Sequence, residues 1–183
     1  MKQKILIWDN DGTIMGAKDS NDTSHSSKII LPNIEETMLQ ADLNFIISGC
    51  KTPESELQDF DPENVIKRFK DLMTKLPIQV AAFSPAIGGV ECYVVLKKDD
   101  GEFEIKKAHE EPRYKNFIGK FKKPDIGMFI VLSDIAKEEF GQIIDEDSAC
   151  IIGDTWHDEA VAKSFGIPFV DATEIHQKKL QLD

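Results

Sequence analysis

Apolar residues fall along this chain in short runs that alternate with stretches of helical period. "KILIWD" (4–9) is a β-branched run of the kind that forms a buried parallel strand. Pro32 opens a helix through "NIEETMLQAD", in which Ile34, Met38 and Ala41 recur at helical spacing. "LNFIISG" (43–49) reads as the second strand. "DPENVIKRFKDLMTKLP" (61–77) is an amphipathic helix, with Asp61 as N-cap, Pro62 in the first turn, and Val65, Phe69, Leu72 and Leu76 on one face. "IQVAAFS" (78–84) is the third strand.

The period then changes. "ECYVVLKK" (91–98) and "EFEIKKAH" (102–109) flank "DDG", a strong hairpin-turn signal. Alternation resumes with a helix over 125–140, a strand over 148–154, a helix "HDEAVAKSFG" ending at Gly166, and a last strand over 167–172. Strands alternating with helices predict an α/β fold: a doubly wound, Rossmann-like parallel sheet. With no internal repeat and no long linker, residues 1–183 are expected to form a single domain, with the hairpin at about 90–110 as an insertion and no large cap. "AKDSNDTSHSSK" (17–28) is polar throughout and reads as a loop, with His25 on its surface.

Charge and cysteine content narrow the function classes. The 183 residues carry a formal net charge of −11, which works against a long polyanionic partner. Arg68 and Arg113 are the only guanidinium groups. Cys50, Cys92 and Cys150 are odd in number and widely spaced, with no paired-cysteine or cysteine–histidine motif, so neither a disulfide framework nor a zinc site is expected. Without a signal-peptide core or a long apolar span, the expected location is the cytoplasm, with no membrane partner.

In a doubly wound sheet, ligands bind beyond the carboxyl ends of the strands. The residues expected there are Asp9-Asn10-Asp11-Gly12-Thr13 after the first strand, Ser48-Gly49 after the second, and Gly153-Asp154 after the fourth, with Asp158 four residues on. Lys123 precedes the long helix that leads into the fourth strand. Taken singly these are ordinary: a carboxylate at a strand end caps a helix, a serine turns the chain, a lysine is solvated. Together they place several carboxylates on one rim, an arrangement that is unfavourable unless a cation neutralises it. An oxygen-only donor set points to Mg²⁺.

These segments resemble the haloacid-dehalogenase-like superfamily of aspartate-nucleophile phosphatases. Its four signatures appear in order as "DNDGT" (9–13), "FIISG" (45–49), "KKPDIGMF" (122–129) and "GDTWHDEAVAKSFG" (153–166). The wording around Lys123 and the small cap are most similar to the branch containing histidinol-phosphate, heptose-bisphosphate and polynucleotide 3′-phosphatases. The chain departs from that branch in lacking zinc-loop cysteines and in having Ser48-Gly49-Cys50 where several relatives carry Thr-Asn. The resemblance implies a Mg²⁺-dependent phosphomonoester hydrolase with Asp9 as nucleophile and Asp11 as general acid and base. It assigns the metal to the Asp9 carboxylate, the Asp11 carbonyl, Asp154 and Asp158, and phosphate binding to Ser48, the Gly49 amide and Lys123. Asn10 is expected to face away from the reacting centre. Trp8 is expected in the core and Trp156 and His157 at the rim, while Arg113 and Lys115 read as ordinary surface charge, with a second anion site as the alternative. The alternatives are a phosphotransferase or mutase of the same superfamily, a receiver-type signalling domain, and an inactive phosphate-binding module. As partner, a phosphorylated small molecule is expected ahead of a phosphoprotein, and both ahead of nucleic acid.

Overall fold

A computed structural model describes residues 3–17, 28–50 and 61–177. Most of the 17–28 loop, His25 included, lies outside the described residues. The elements in chain order are β1 (Ile5–Trp8), β2 (Met15–Ala17), β3 (Lys28–Ile30), α1 (Ile34–Met38), β4 (Leu43–Ser48), α2 (Pro62–Lys75), β5 (Val80–Phe83), β6 (Tyr93–Lys97), β7 (Phe103–Lys107), α3 (Gly127–Phe140), β8 (Ala149–Gly153), α4 (Trp156–Phe165), β9 (Phe169–Asp171) and α5 (Ala172–His176). Two 3₁₀ turns, Ala108–Glu110 and Pro112–Phe117, join β7 towards α3.

Seven strands form one sheet in the order β7-β6-β5-β4-β1-β8-β9. Five adjacent strands, β5-β4-β1-β8-β9, are parallel. The α/β, Rossmann-like architecture is therefore as the sequence predicts. β1 sits at the centre because all four of its residues are apolar and fully buried. Alternation divides them between two cores. Ile5 and Ile7 pack with Phe129, Val131 and Leu132 of α3 and Val161 of α4. Leu6 and Trp8 pack on the opposite face with Ile34 and Met38 of α1 and Phe69 and Met73 of α2. The indole N–H of Trp8 donates to Asn44 Oδ1 at 3.0 Å, and the Asn44 amide donates in turn to the carbonyls of Met38 and Pro77. This buried polar group is satisfied, so it holds the strand register without the penalty of an orphan.

Three readings need adjustment. α1 covers only 34–38, because Asp42 turns back to the first strand, exchanging backbone and side-chain bonds with Lys4. A small antiparallel pair, β2 with β3, forms a separate two-stranded sheet where only loop is expected. The hairpin also has a structural place: β6 pairs antiparallel with β5, from Phe83 opposite Tyr93 to Val80 opposite Leu96, and so extends the central sheet. Val94, Val95 and Leu96 are completely or almost completely buried there. No helix among the described residues is long and apolar enough to cross a membrane.

Candidate active site

Strand register aligns the candidate residues. Trp8 lies opposite Ile46 on one side and Ile152 on the other. Asp9 is therefore level with Ile47 and Gly153, while Ser48 and Asp154 stand one residue beyond. β1 is also where the chain order reverses across the parallel strands, the crevice that α/β sheets use for ligands.

Asp9 is buried, and its carboxylate accepts a hydrogen bond from Lys123 Nζ. The same ammonium donates to Asp158 Oδ1 at 2.5 Å and to the Ile47 carbonyl at 3.2 Å. Burial pushes the Asp9 carboxyl up to about 7; Lys123 opposes this shift, and the charge of Asp158 adds to it. Burial works to lower the Lys123 ammonium, but the Asp9 and Asp158 charges outweigh it and hold its pKa above the ordinary lysine value. Lys123 is thus an internal counter-cation shared by two carboxylates, and it borders the same cleft as Ser48 and Gly49.

Asp158 owes its position to helix capping. Thr155 is the N-cap of α4, and its hydroxyl and backbone N–H donate to Asp158 Oδ2 at 2.7 and 3.3 Å. Asp158 is completely buried, and a Cβ on Gly153 would come within 2.4 Å of the Asp158 Cβ. That glycine is what allows the strand end and helix start to approach so closely. Asp154 is open to solvent, and its carboxyl is raised by partial burial and then by the charge of Asp158.

Asp9, Asp154 and Asp158 can each contribute a carboxylate oxygen to one cluster with all three within 4.8 Å of one another. The donors are all oxygen, and Asp154 leaves one side of the cluster open, which suits a Mg²⁺ ion that retains several waters. Gly12 adds a cradle: its φ is +89°, and a Cβ there would meet Asp154 Oδ2 at 2.1 Å. The residues present fit the ion.

Asp9, Asp11, Ser48, Gly49 and Lys123 border one small cleft of about 40 Å³, together with Lys122, Thr155 and His157. Of these, the sequence does not single out Lys122 or Thr155. The Asp11 carboxylate does not join the carboxylate cluster. Lys28 of β3 donates to its Oδ1 at 2.5 Å, and the Asn10 amide donates to the same atom at 3.2 Å. Asn10 therefore faces Asp11 instead of pointing away, because β1 ends at Trp8 and strand alternation does not continue through residues 9–11. Ser48 is buried, and its hydroxyl accepts from the Cys50 N–H at 3.2 Å. Cys50 borders the cleft as well, but burial, helped by the charge of Asp11, pushes its thiol up to about 12, so it is no competing thiolate nucleophile.

The outlying candidates fall in different places. Trp8 is core, as expected; Trp156 is 65% exposed and stacks on His157 with ring centroids 3.9 Å apart. Arg113 is bound by Glu111 and Glu138 on the outer surface of α3 and does not border the cleft. Arg68 instead reaches a larger cavity of about 520 Å³ that begins at Asp11 and Ser48. The sequence signal for this was available in the spacing of Arg68, Leu72 and Lys75 on α2, which share one face of that helix. The chain matches no known family model and no curated protein sequence.

Proposed function

We propose that the chain is a Mg²⁺-dependent phosphomonoester hydrolase of the haloacid-dehalogenase-like type, working through an aspartyl-phosphate on Asp9. The observation that carries this reading is the shared rim. One buried carboxylate, Asp9, belongs at once to a cluster of three carboxylates and to a cleft bordered by a further carboxylate, Asp11. A purely structural carboxylate cluster has no need of Asp11 at the same mouth.

When bound by Asp9, Asp154 and Asp158, Mg²⁺ would neutralise the clustered charge and help stabilise charge on the transferring phosphoryl group. The remaining roles belong to the chain. Asp9 attacks phosphorus as the carboxylate, the form that the Lys123 hydrogen bond favours. The Ser48 hydroxyl, the Gly49 amide and Lys123, with Lys122 beside them, border the same cleft as Asp9 and would supply donors to the phosphoryl oxygens. Asp11 gives a proton to the departing alkoxide and later takes one from the attacking water. Its bonds to Lys28 and Asn10 both fall on Oδ1, leaving Oδ2 for that transfer. The acidic chain favours a phosphorylated small molecule over nucleic acid as substrate. Three free cysteines fit a reducing compartment, the cytoplasm.

The two aspartates separate in one experiment. With an aryl phosphate, whose leaving group needs little protonation, Asp11→Asn should release about one equivalent of phenol per enzyme and then stall. Asp9→Asn should give no burst. Mass spectrometry of the quenched Asp11 variant should place one phosphoryl group on the peptide containing Asp9. A label on Ser48, or identical behaviour of the two variants, overturns the reading.

A further inference from the structure

Asp9 and Asp11 stand two positions apart and border one cleft, yet they are bonded to different cations. Lys123 pairs with Asp9 and Asp158, inside the carboxylate cluster. Asp11 pairs with Lys28, whose Nζ lies 2.5 Å from Asp11 Oδ1. The local fold explains the second pairing. After Asp11 the chain turns tightly: the Gly12 N–H donates to the Met15 carbonyl at 2.8 Å, and the Met15 N–H donates to the Asn10 carbonyl at 2.9 Å. β2 and β3 then pair antiparallel with Ala17 opposite Lys28, which returns the lysine to an aspartate 17 positions earlier. The Asn10 amide closes on the same oxygen at 3.2 Å. The Lys28 and Asp11 side chains are 21% and 23% exposed, and an ion pair that open to water adds little to folding stability. What the pair fixes is the direction of the Asp11 carboxylate.

We propose that Lys28 is a positioning residue that withholds the Asp11 carboxylate from the metal, so that Asp11 stays acid and base instead of becoming a further metal ligand. The inference rests on the phosphatase reading, which gives Asp11 that role. A divalent cation held by Asp9, Asp154 and Asp158 attracts any other carboxylate nearby, and Mg²⁺ keeps waters that a carboxylate can displace. Asp11 is such a neighbour: it borders the cleft that Asp9 borders, and its charge adds to the upward push on the Asp9 carboxyl. A carboxylate on a metal must be deprotonated, so it has no proton to give to an alkoxide. With Lys28 and Asn10 on Oδ1, Oδ2 remains for that proton. It passes to the alkoxide as the Asp9 oxygen bonds to phosphorus and the ester P–O bond breaks, its electron pair leaving with the alkoxide. The same oxygen later takes a proton from the water that attacks phosphorus and displaces Asp9.

Calorimetric titration with Mg²⁺ tests this in the native protein, Lys28→Met, Lys28→Arg, Asp11→Asn and the double variant Lys28→Met/Asp11→Asn. Thermal midpoints confirm that each is folded. Lys28→Met should bind Mg²⁺ about fivefold or more tightly than native, a coupling of the size found between contacting groups. Mere loss of a nearby positive charge would tighten binding equally with aspartate or asparagine at position 11. The proposal requires instead that the gain disappear when Lys28→Met is made in Asp11→Asn, and that Lys28→Arg bind as native does. The kinetic readout is kcat/KM for benzyl phosphate against 4-nitrophenyl phosphate. Lys28→Met should lose about tenfold or more on the benzyl ester, whose alkoxide needs the proton, and far less on the nitrophenyl ester. An Mg²⁺ gain of equal size in both backgrounds, no gain, or equal losses on the two esters overturns the proposal, while hydrolysis by the native protein leaves the phosphatase reading standing. If the native protein binds Mg²⁺ but hydrolyses neither ester, the phosphatase reading fails, and the Mg²⁺ coupling between positions 28 and 11 alone decides whether the lysine withholds the carboxylate. A native protein that binds no Mg²⁺ refutes both.

Discussion

Replacing Lys123 with methionine probes the electrostatic centre of the candidate site. Methionine is similar in length but has no charge, so the variant leaves Asp9 and Asp158 buried with their shared cation removed. Breaking a buried ion pair from one side costs about 3–5 kcal/mol. Part of this cost depends on pH. Asp9 stands near 7 in the folded protein against 3.8 unperturbed. Its folded value is the higher, so its favourable contribution is complete below the unfolded value and is lost as pH rises through the folded one. In the native protein that loss amounts to about 4 kcal/mol, at about 1.4 kcal/mol per pH unit, and is complete just above neutrality. Without the ammonium the folded pKa rises further, and the decline continues into alkaline solution. The variant should therefore be about 3–5 kcal/mol less stable than native at pH 8.5, and the gap should narrow at pH 6. It should not close, because Asp158 also loses its partner. Urea unfolding of both proteins in the presence of a chelator measures it. A gap below about 1 kcal/mol at pH 8.5, or one equal at both pH values, refutes the reasoning.

Two further outcomes follow from the same structure. Hydrolysis should vanish with chelator and return with Mg²⁺, and Asp154→Ala should weaken Mg²⁺ binding by calorimetry while costing less than about 1 kcal/mol of stability, since Asp154 is exposed. Leu96→Ala in β6 should cost about 2–5 kcal/mol by urea unfolding, because Leu96 is 1% exposed in the core; a cost near zero would show that the hairpin is dispensable to the sheet.

The parts legible in the sequence are those governed by local pattern. β1, β4 and β8 are apolar runs, and the polar residues that end or follow them, Ser48 at the end of β4 and Asp9 and Asp154 just after β1 and β8, land on one rim because parallel strands in register end together. Asp158 was legible for a second reason: it sits three residues after a threonine N-cap, where a carboxylate is favoured. Other features depend on tertiary pairing. Lys28 reaches Asp11 only because β3 pairs with β2, two three-residue strands too short to stand out from polar loop. Arg68 looks like one solvated charge on an amphipathic helix until the opposite wall is in place. The hairpin at 93–107 carries an unmistakable turn, yet the turn does not say that β6 will pair with β5. The charge pairing of Arg113 with Glu138, 25 residues apart, removes it from the site in a way that local spacing does not show.

The placement of the hairpin bears on self-association. A sheet with an unpaired outer strand offers its free N–H and C=O groups as a template for another chain. At one border here, that outer strand is β7, whose Glu104, Lys106 and Lys107 crowd it with charge, two of them tethered near Glu139 of α3. At the other border, β9 is only three residues long and runs directly into α5. An incoming strand would have to desolvate the charged row at β7, and at β9 it would find too short a ladder to hold. Both borders are therefore poor templates for edge-to-edge aggregation, and the apolar strands at the centre, β4, β1 and β8, are shielded on either side by their neighbours in the sheet.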